Sequence, residues 1–104
     1  MPKKLSDYIN PLFSLLISLP KGKIISYSIA AKSIGLDNPR NIGWILKQNK
    51  NPDTIPCFKV VLSNGKLAKG YKFGGQKEQQ KRLKREGIFF DENGRILNFE
   101  QCKY

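Results

Sequence analysis

Histidine is absent from this chain, tryptophan occurs once, and acidic residues number only 8 against 19 lysines and arginines. Each shortage excludes something. Without imidazole there is no ordinary general base poised near neutral pH. Two cysteines, Cys57 and Cys102, with no histidine cannot build the usual four-ligand structural zinc site, so no metal is expected. No stretch approaches the ~20 apolar residues of a membrane span. The start, Met1-Pro2-Lys3-Lys4, leads into polar sequence without a signal-peptide core. These absences point to a cytoplasmic, nucleoid-associated location, free thiols and no membrane partner.

What is present is a strong positive charge. The net is +11 over 104 residues, a surplus that calls for a polyanion, and nucleic acid is the first candidate. The length suits one domain, residues 1–104, and 39% hydrophobic residues supply a small core.

The pattern along the chain is mainly helical. Leu12, Leu15, Leu16 and Leu19 follow helical spacing, which predicts a helix over 6–19 with Pro11 in its first turn and Asn10 or Ser6 as cap. After a turn at Pro20-Lys21-Gly22-Lys23 and a short extended piece at Ile24 and Ile25, Ser26 caps a second helix that stops near Gly35. Asp37 or Asn38 caps a third, running from Pro39 to about Gln48, with Ile42, Ile45 and Leu46 on its core face. Residues 59–62 read as a strand, and Ser63-Asn64-Gly65-Lys66 as a hairpin turn. A glycine-rich loop, 70–75, precedes a charged helix over 76–86, and a second small hairpin spans 88–97. The expected fold is α+β, mainly helical: a winged helix-turn-helix-like DNA-binding domain with small β-hairpins.

Against this frame the segment Ile55-Pro56-Cys57-Phe58-Lys59-Val60-Val61 resembles the active-site motif of the O(6)-alkylguanine-DNA alkyltransferases. Further similarity lies in residues 20–27, in Asn38-Pro39-Arg40-Asn41-Ile42-Gly43, and in the stretch from Ser63-Asn64-Gly65 through Gly70-Tyr71 to Glu86-Gly87. It covers about residues 12 to 97. The resemblance implies a protein that binds double-stranded DNA, flips out an alkylated guanine and takes the alkyl group irreversibly on its own cysteine. It would act as a monomer, and no cofactor is needed because the thiol is consumed.

By the same resemblance Cys57 is the alkyl acceptor and Arg40 fills the gap left by the flipped nucleotide. Tyr27 presses on the target phosphate. Pro39, Asn41 and Gly43 belong with Arg40 to the DNA-binding helix, which enters the minor groove, and Asn49 is a structural hinge. Tyr71 bonds the guanine oxygen, and Glu86 ends the thiol-activating network. Physical reasons accompany these roles. The target atom is hidden inside the duplex, and arginine combines stacking with hydrogen bonding. The absence of a side chain at Gly43 permits close approach, and a free thiol near pKa ~8.5 is mostly protonated at neutral pH.

The chain departs from the family in two places. Position 58, usually histidine, is Phe58, and the spacing from Gly65 to Tyr71 is one residue longer, with Lys69 as the extra residue. A lost general base costs ~10²–10⁴-fold in rate, and Lys59 or other parts of the positive field are expected to lower the thiol pKa in its place. The alternative is an alkyltransferase-like sensor that binds alkylguanine without transfer and flags it for another repair pathway. An ordinary helix-turn-helix regulator leaves the Pro-Cys motif and the Gly70-Tyr71 loop without a purpose. Cys102 reads as incidental, Trp44 as packing or a membrane-neutral surface aromatic rather than a base wedge, and the run Lys77, Lys81, Arg82, Lys84, Arg85 as a solvated helix face.

Overall fold

Leucines at helical spacing bury the first helix. In the computed structural model, which describes residues 3–104, a 3-10 turn at Leu5–Tyr8 leads into α1, Ile9–Ser18. Met1 and Pro2, part of the stretch read for a signal peptide, lie outside the described residues. Leu12 and Leu16 are fully buried and Leu19 nearly so, while Leu15 packs at the margin. Pro11 sits in the first turn of α1, where its missing N–H is harmless. The expected cap at Asn10 or Ser6 is not used. The 3-10 turn begins one turn earlier, and there the Asp7 carboxylate accepts the Lys4 N–H at 2.8 Å.

Two capped helices follow. β1 is Ile25–Ser26 and α2 is Tyr27–Ile34. The Ser26 hydroxyl accepts the Ile29 N–H at 3.1 Å, and Gly35 closes α2 in the left-handed region (φ 80°). α3, Arg40–Leu46, starts where the Asn38 side chain accepts the Arg40 N–H at 3.0 Å. It ends two residues before the expected Gln48. Its last turn tightens, with Gln48 N–H donating to the Ile45 carbonyl and Asn49 N–H to that of Leu46. Ile42 and Ile45 are fully buried beneath it.

The reactive segment departs from the expected strand over 59–62. Cys57–Lys59 form a 3-10 turn, and β2 is only Val60–Val61. Pro56 has no N–H to give to a ladder, and Lys59 turns inward, so neither residue extends the strand. β2 pairs in parallel with β1, Ile25 opposite Val60 and Ser26 opposite Val61. The hairpin turn itself forms, with Gly65 N–H donating to the Leu62 carbonyl. Leu62 N–H donates to the Lys66 carbonyl at 2.9 Å, and Lys66 also bridges to Arg95.

Alternation on this two-strand unit divides the interior. Ile25, Cys57 and Val60 face a core built with α1, α2 and α3. Ile24, Phe58 and Val61 face a second core with Leu67, Leu83, Ile88, Ile96 and Cys102. Phe58, the residue standing where the resemblance calls for histidine, is therefore a core side chain, and Cys102 packs in the same core.

α4, Gly75–Arg85, buries Gln79 and Leu83 at i, i+4. Gly74 permits its start: a Cβ there would lie 2.7 Å from that of Glu78. The second hairpin forms as expected, Phe90 opposite Ile96. A short α5, Phe99–Cys102, was not anticipated; it returns the chain to β1, where Tyr104 N–H donates to the Ile24 carbonyl at 2.7 Å.

Lys59 locks these parts together. Its ammonium, 3% exposed, donates to the carbonyls of Leu19 (3.3 Å) and Pro20 (2.9 Å) and lies 3.2 Å from Glu86 Oε1. The same carboxylate oxygen accepts the Gly22 N–H at 2.9 Å. Removing one member leaves buried carbonyls and a carboxylate without their cation. Lys59→Ala should destabilise the fold by about 3 kcal/mol, seen as a lower urea midpoint; an unchanged midpoint would show that the pair adds nothing.

Candidate nucleic-acid interface and thiol pocket

The exposed face of α3 forms one wall of an open groove of about 700 Å³. Pro39, Arg40, Gly43, Trp44 and Lys47 supply that wall. Tyr27, the first residue of α2, closes one end, and Leu62, Ser63, Asn64, Ala68 and Lys69 face α3 from the loop after β2. Helical spacing explains the selection: 40, 43, 44 and 47 share a face, opposite the buried Ile42 and Ile45. At Gly43 an added Cβ would meet nothing within 4 Å, so its smallness serves no packing inside the protein. Asn41 is half-buried and is not among the groove-lining residues. Trp44, read from sequence as packing or a neutral surface aromatic, is 43% exposed in this groove.

The groove runs into a narrower pocket of about 70 Å³, below the ~300–1,000 Å³ typical of small-molecule sites. Tyr27, Gly43, Lys47, Ala68 and Lys69 line both. Cys57, 4% exposed, lies in the pocket lining with Leu46, Val60, Gly70, Tyr71, Lys72 and Gln79. No acidic residue lines either depression, whereas Arg40, Lys47, Lys69 and Lys72 do. Lys69 adds a cation to the opening, and Tyr71 lies in the pocket wall.

Burial dominates the thiol. Desolvation pushes the Cys57 pKa up; the Asn49 and Tyr71 side chains, and the Arg82 charge more weakly, pull the other way. The Lys59 ammonium, expected from sequence to act on the thiol, is held by Glu86 and the Leu19 and Pro20 carbonyls. The Tyr71 hydroxyl is buried without a hydrogen-bond partner among the described residues, and it is near enough to Cys57 for each to perturb the other. Desolvation first, and the Cys57 charge second, hold the Tyr71 pKa above the ordinary phenol value, so the hydroxyl keeps its proton. The same two causes raise Tyr27.

Asn49 is fully buried. Its amide donates to the Ile55 carbonyl and accepts the Asn51 N–H, both at 2.9 Å, which fastens the end of α3 to the loop before Cys57. Glu86 binds Gly22 and Lys59 as described, at the end of α4.

Three supporting residues were missed from sequence. Lys72 donates from its ammonium to the carbonyls of Lys47 (2.8 Å) and Asn49 (2.9 Å), tying the Tyr71 loop to the end of α3. Gln79 donates to the carbonyls of Phe58 (2.9 Å) and Val60 (3.1 Å) from beneath the reactive turn. The i, i+4 pairing of Gln79 with Leu83 was its only signal. Arg82, read as part of a solvated face, instead pairs with Glu78 (3.0 Å) and approaches Asp53 (3.8 Å). Among the described residues no group of three or more His, Cys, Asp or Glu is placed to hold a metal ion, and no helix is long and apolar enough to cross a membrane.

Known proteins are similar to this chain in sequence and in fold. A bifunctional methyltransferase/endonuclease of Thermoplasma volcanium is 37% identical over 94% of this chain, which spans 30% of that relative's length. A DNA base-flipping protein of Vibrio parahaemolyticus is 31% identical, with 88% of this chain and 91% of that protein covered. Among solved structures, Atl1 of Schizosaccharomyces pombe in complex with damaged DNA containing O6-carboxymethylguanine has the same fold, with a TM-score of 0.82 over 98% of both chains at 23% identity. Residues 10–88 match the family described as 6-O-methylguanine DNA methyltransferase, DNA binding domain, and the chain belongs to that family.

Proposed function

We propose that this protein binds duplex DNA, extrudes an O6-alkylated guanine and transfers the alkyl group to Cys57. The observation that carries the proposal is the position of the thiol, in a pocket that opens into an acid-free groove along α3. An enclosed sulfur at the inner end of a basic groove suits a nucleotide delivered from a duplex.

In this reading α3 enters the groove of the DNA with Pro39, Arg40, Asn41 and Gly43 leading. Arg40, exposed at the first position of the helix, fills the vacancy in the stack. Tyr27 stands at the entrance and presses on the target phosphate. Asn49 keeps α3 and the reactive turn in register, and Lys72 holds the Tyr71 wall against the same helix end. Glu86 supports the fold around Lys59, a structural role in place of a relay.

The chemistry balances without a cofactor. The Cys57 S–H ionises, its proton passing to solvent. The thiolate attacks the alkyl carbon, the carbon–oxygen bond breaks toward guanine, and the guanine takes up a proton from water. The products are guanine and S-alkylcysteine. Tyr71, which keeps its proton, donates a hydrogen bond to the oxygen that gains charge. With no imidazole in the chain, ionisation of the thiol limits the rate.

A second reading, a sensor that holds alkylguanine without transfer, is favoured by two observations: burial raises the thiol pKa, and Phe58 is committed to the core. Incubation with a duplex containing O6-methylguanine, followed by intact-protein mass measurement, separates the two. Transfer predicts slow gain of one methyl group, lost in Cys57→Ser. Tight binding with no added mass after prolonged incubation would leave only the sensor.

Arg40→Ala should weaken binding to the methylguanine duplex by about tenfold, the scale of a lost stacking contact, with a smaller loss on undamaged DNA. Equal losses on both would make Arg40 a phosphate contact.

A further inference from the structure

Trp44 has no role in the chemistry above, yet it occupies the most prominent place on α3. The helix buries Ile42 and Ile45 completely and leaves the indole 43% exposed, on the groove side with Arg40 one turn away. An exposed indole is costly to hydrate and gives nothing to the core here. The surroundings indicate what would cover it. Arg40, Lys47 and Lys69 line the same groove, and no carboxylate does. An acidic protein surface would meet these charges but has no use for a bare glycine beside them. A nucleic acid meets both, because phosphates pair with the cations while its stacked bases offer flat apolar faces. Gly43, with open space at its Cβ, lets a duplex approach closely enough for the indole to reach a base.

We propose that Trp44 is a DNA-contacting residue that stacks on a nucleobase of the bound duplex, one helical turn from Arg40. The two side chains then work as a pair: Arg40 fills the vacancy, and Trp44 holds a base next to it, stabilising the opened stack. The inference rests on the DNA-binding reading of the preceding subsection and deepens it. It assigns affinity for the distorted duplex to a side chain that takes no part in the transfer step.

Trp44 is the single tryptophan, so its emission reports on itself alone. Wild type, Trp44→Ala and Trp44→Phe are titrated with a labelled duplex containing O6-methylguanine. DNA anisotropy measures binding, and indole emission measures stacking in the wild type. Stacking predicts quenched emission on binding, about tenfold weaker binding for Trp44→Ala, and recovery of most of that loss by Trp44→Phe. A rise in anisotropy with unchanged emission, or equal affinity of Trp44→Ala and wild type, overturns the Trp44 assignment while leaving DNA binding in place. No rise in anisotropy for the wild type overturns both. Because the indole is exposed, Trp44→Ala is expected to fold; a thermal midpoint matching that of Trp44→Phe checks it.

Discussion

Two rungs of parallel pairing, Ile25 with Val60 and Ser26 with Val61, hold the reactive turn against the start of α2. Nearly everything at the site depends on them. They set Tyr27 at the mouth of the pocket whose lining includes Cys57. They also divide the interior, so that consecutive side chains go to opposite cores, Cys57 toward the helical layer and Phe58 toward α4 and the C-terminal hairpin. A residue beside the cysteine is thus a structural element of the second core. Phenylalanine answers that need, and the thiol is left with amide and phenol neighbours instead of an imidazole.

Charge is partitioned in the same economical way. The acids are largely committed to internal tasks: Asp7 at the first turn, Asp91 accepting the N–H groups of Asn93 and Arg95, Glu78 and Asp53 with Arg82, Glu86 with Lys59, Glu100 with Lys103. The cations around the groove have no carboxylate among its lining residues. Arg40, Lys47 and Lys69 therefore leave the groove positive where a polyanion would bind.

How much of this was legible in the sequence follows from the range of each interaction. α2 and α3 announce themselves through local capping chemistry at Ser26, Gly35 and Asn38, and α4 through its glycines and periodicity. The thiol, Tyr71 and Asn49 were found through motif resemblance; Cys57 and Tyr71 share a pocket lining, and the Asn49 side chain neighbours the thiol from outside that lining. The parallel pairing of two-residue strands was invisible, because it joins segments distant in sequence and leaves no alternation to read. The same distance hid the inward turn of Lys59 toward Glu86 and the clamp from Lys72 to the end of α3. For Trp44 the sequence left packing and a surface position both open, and the structure decides for the surface. Hydrophobic residues are read as core by default, and only the helix phase set by Ile42 and Ile45 turns it outward.

In the proposed transfer Cys57 reacts from a buried, mostly protonated state without a histidine to ionise it. The pH dependence of the single-turnover methyl-transfer rate tests this most directly. Burial raises the thiol pKa, so the thiolate fraction at neutral pH is small and grows with each step upward in pH. The account predicts a rate that climbs about tenfold per pH unit through neutrality and levels only in the alkaline range. A rate already flat between about pH 6 and 8 would mean a thiol ionised at neutral pH, and would contradict it.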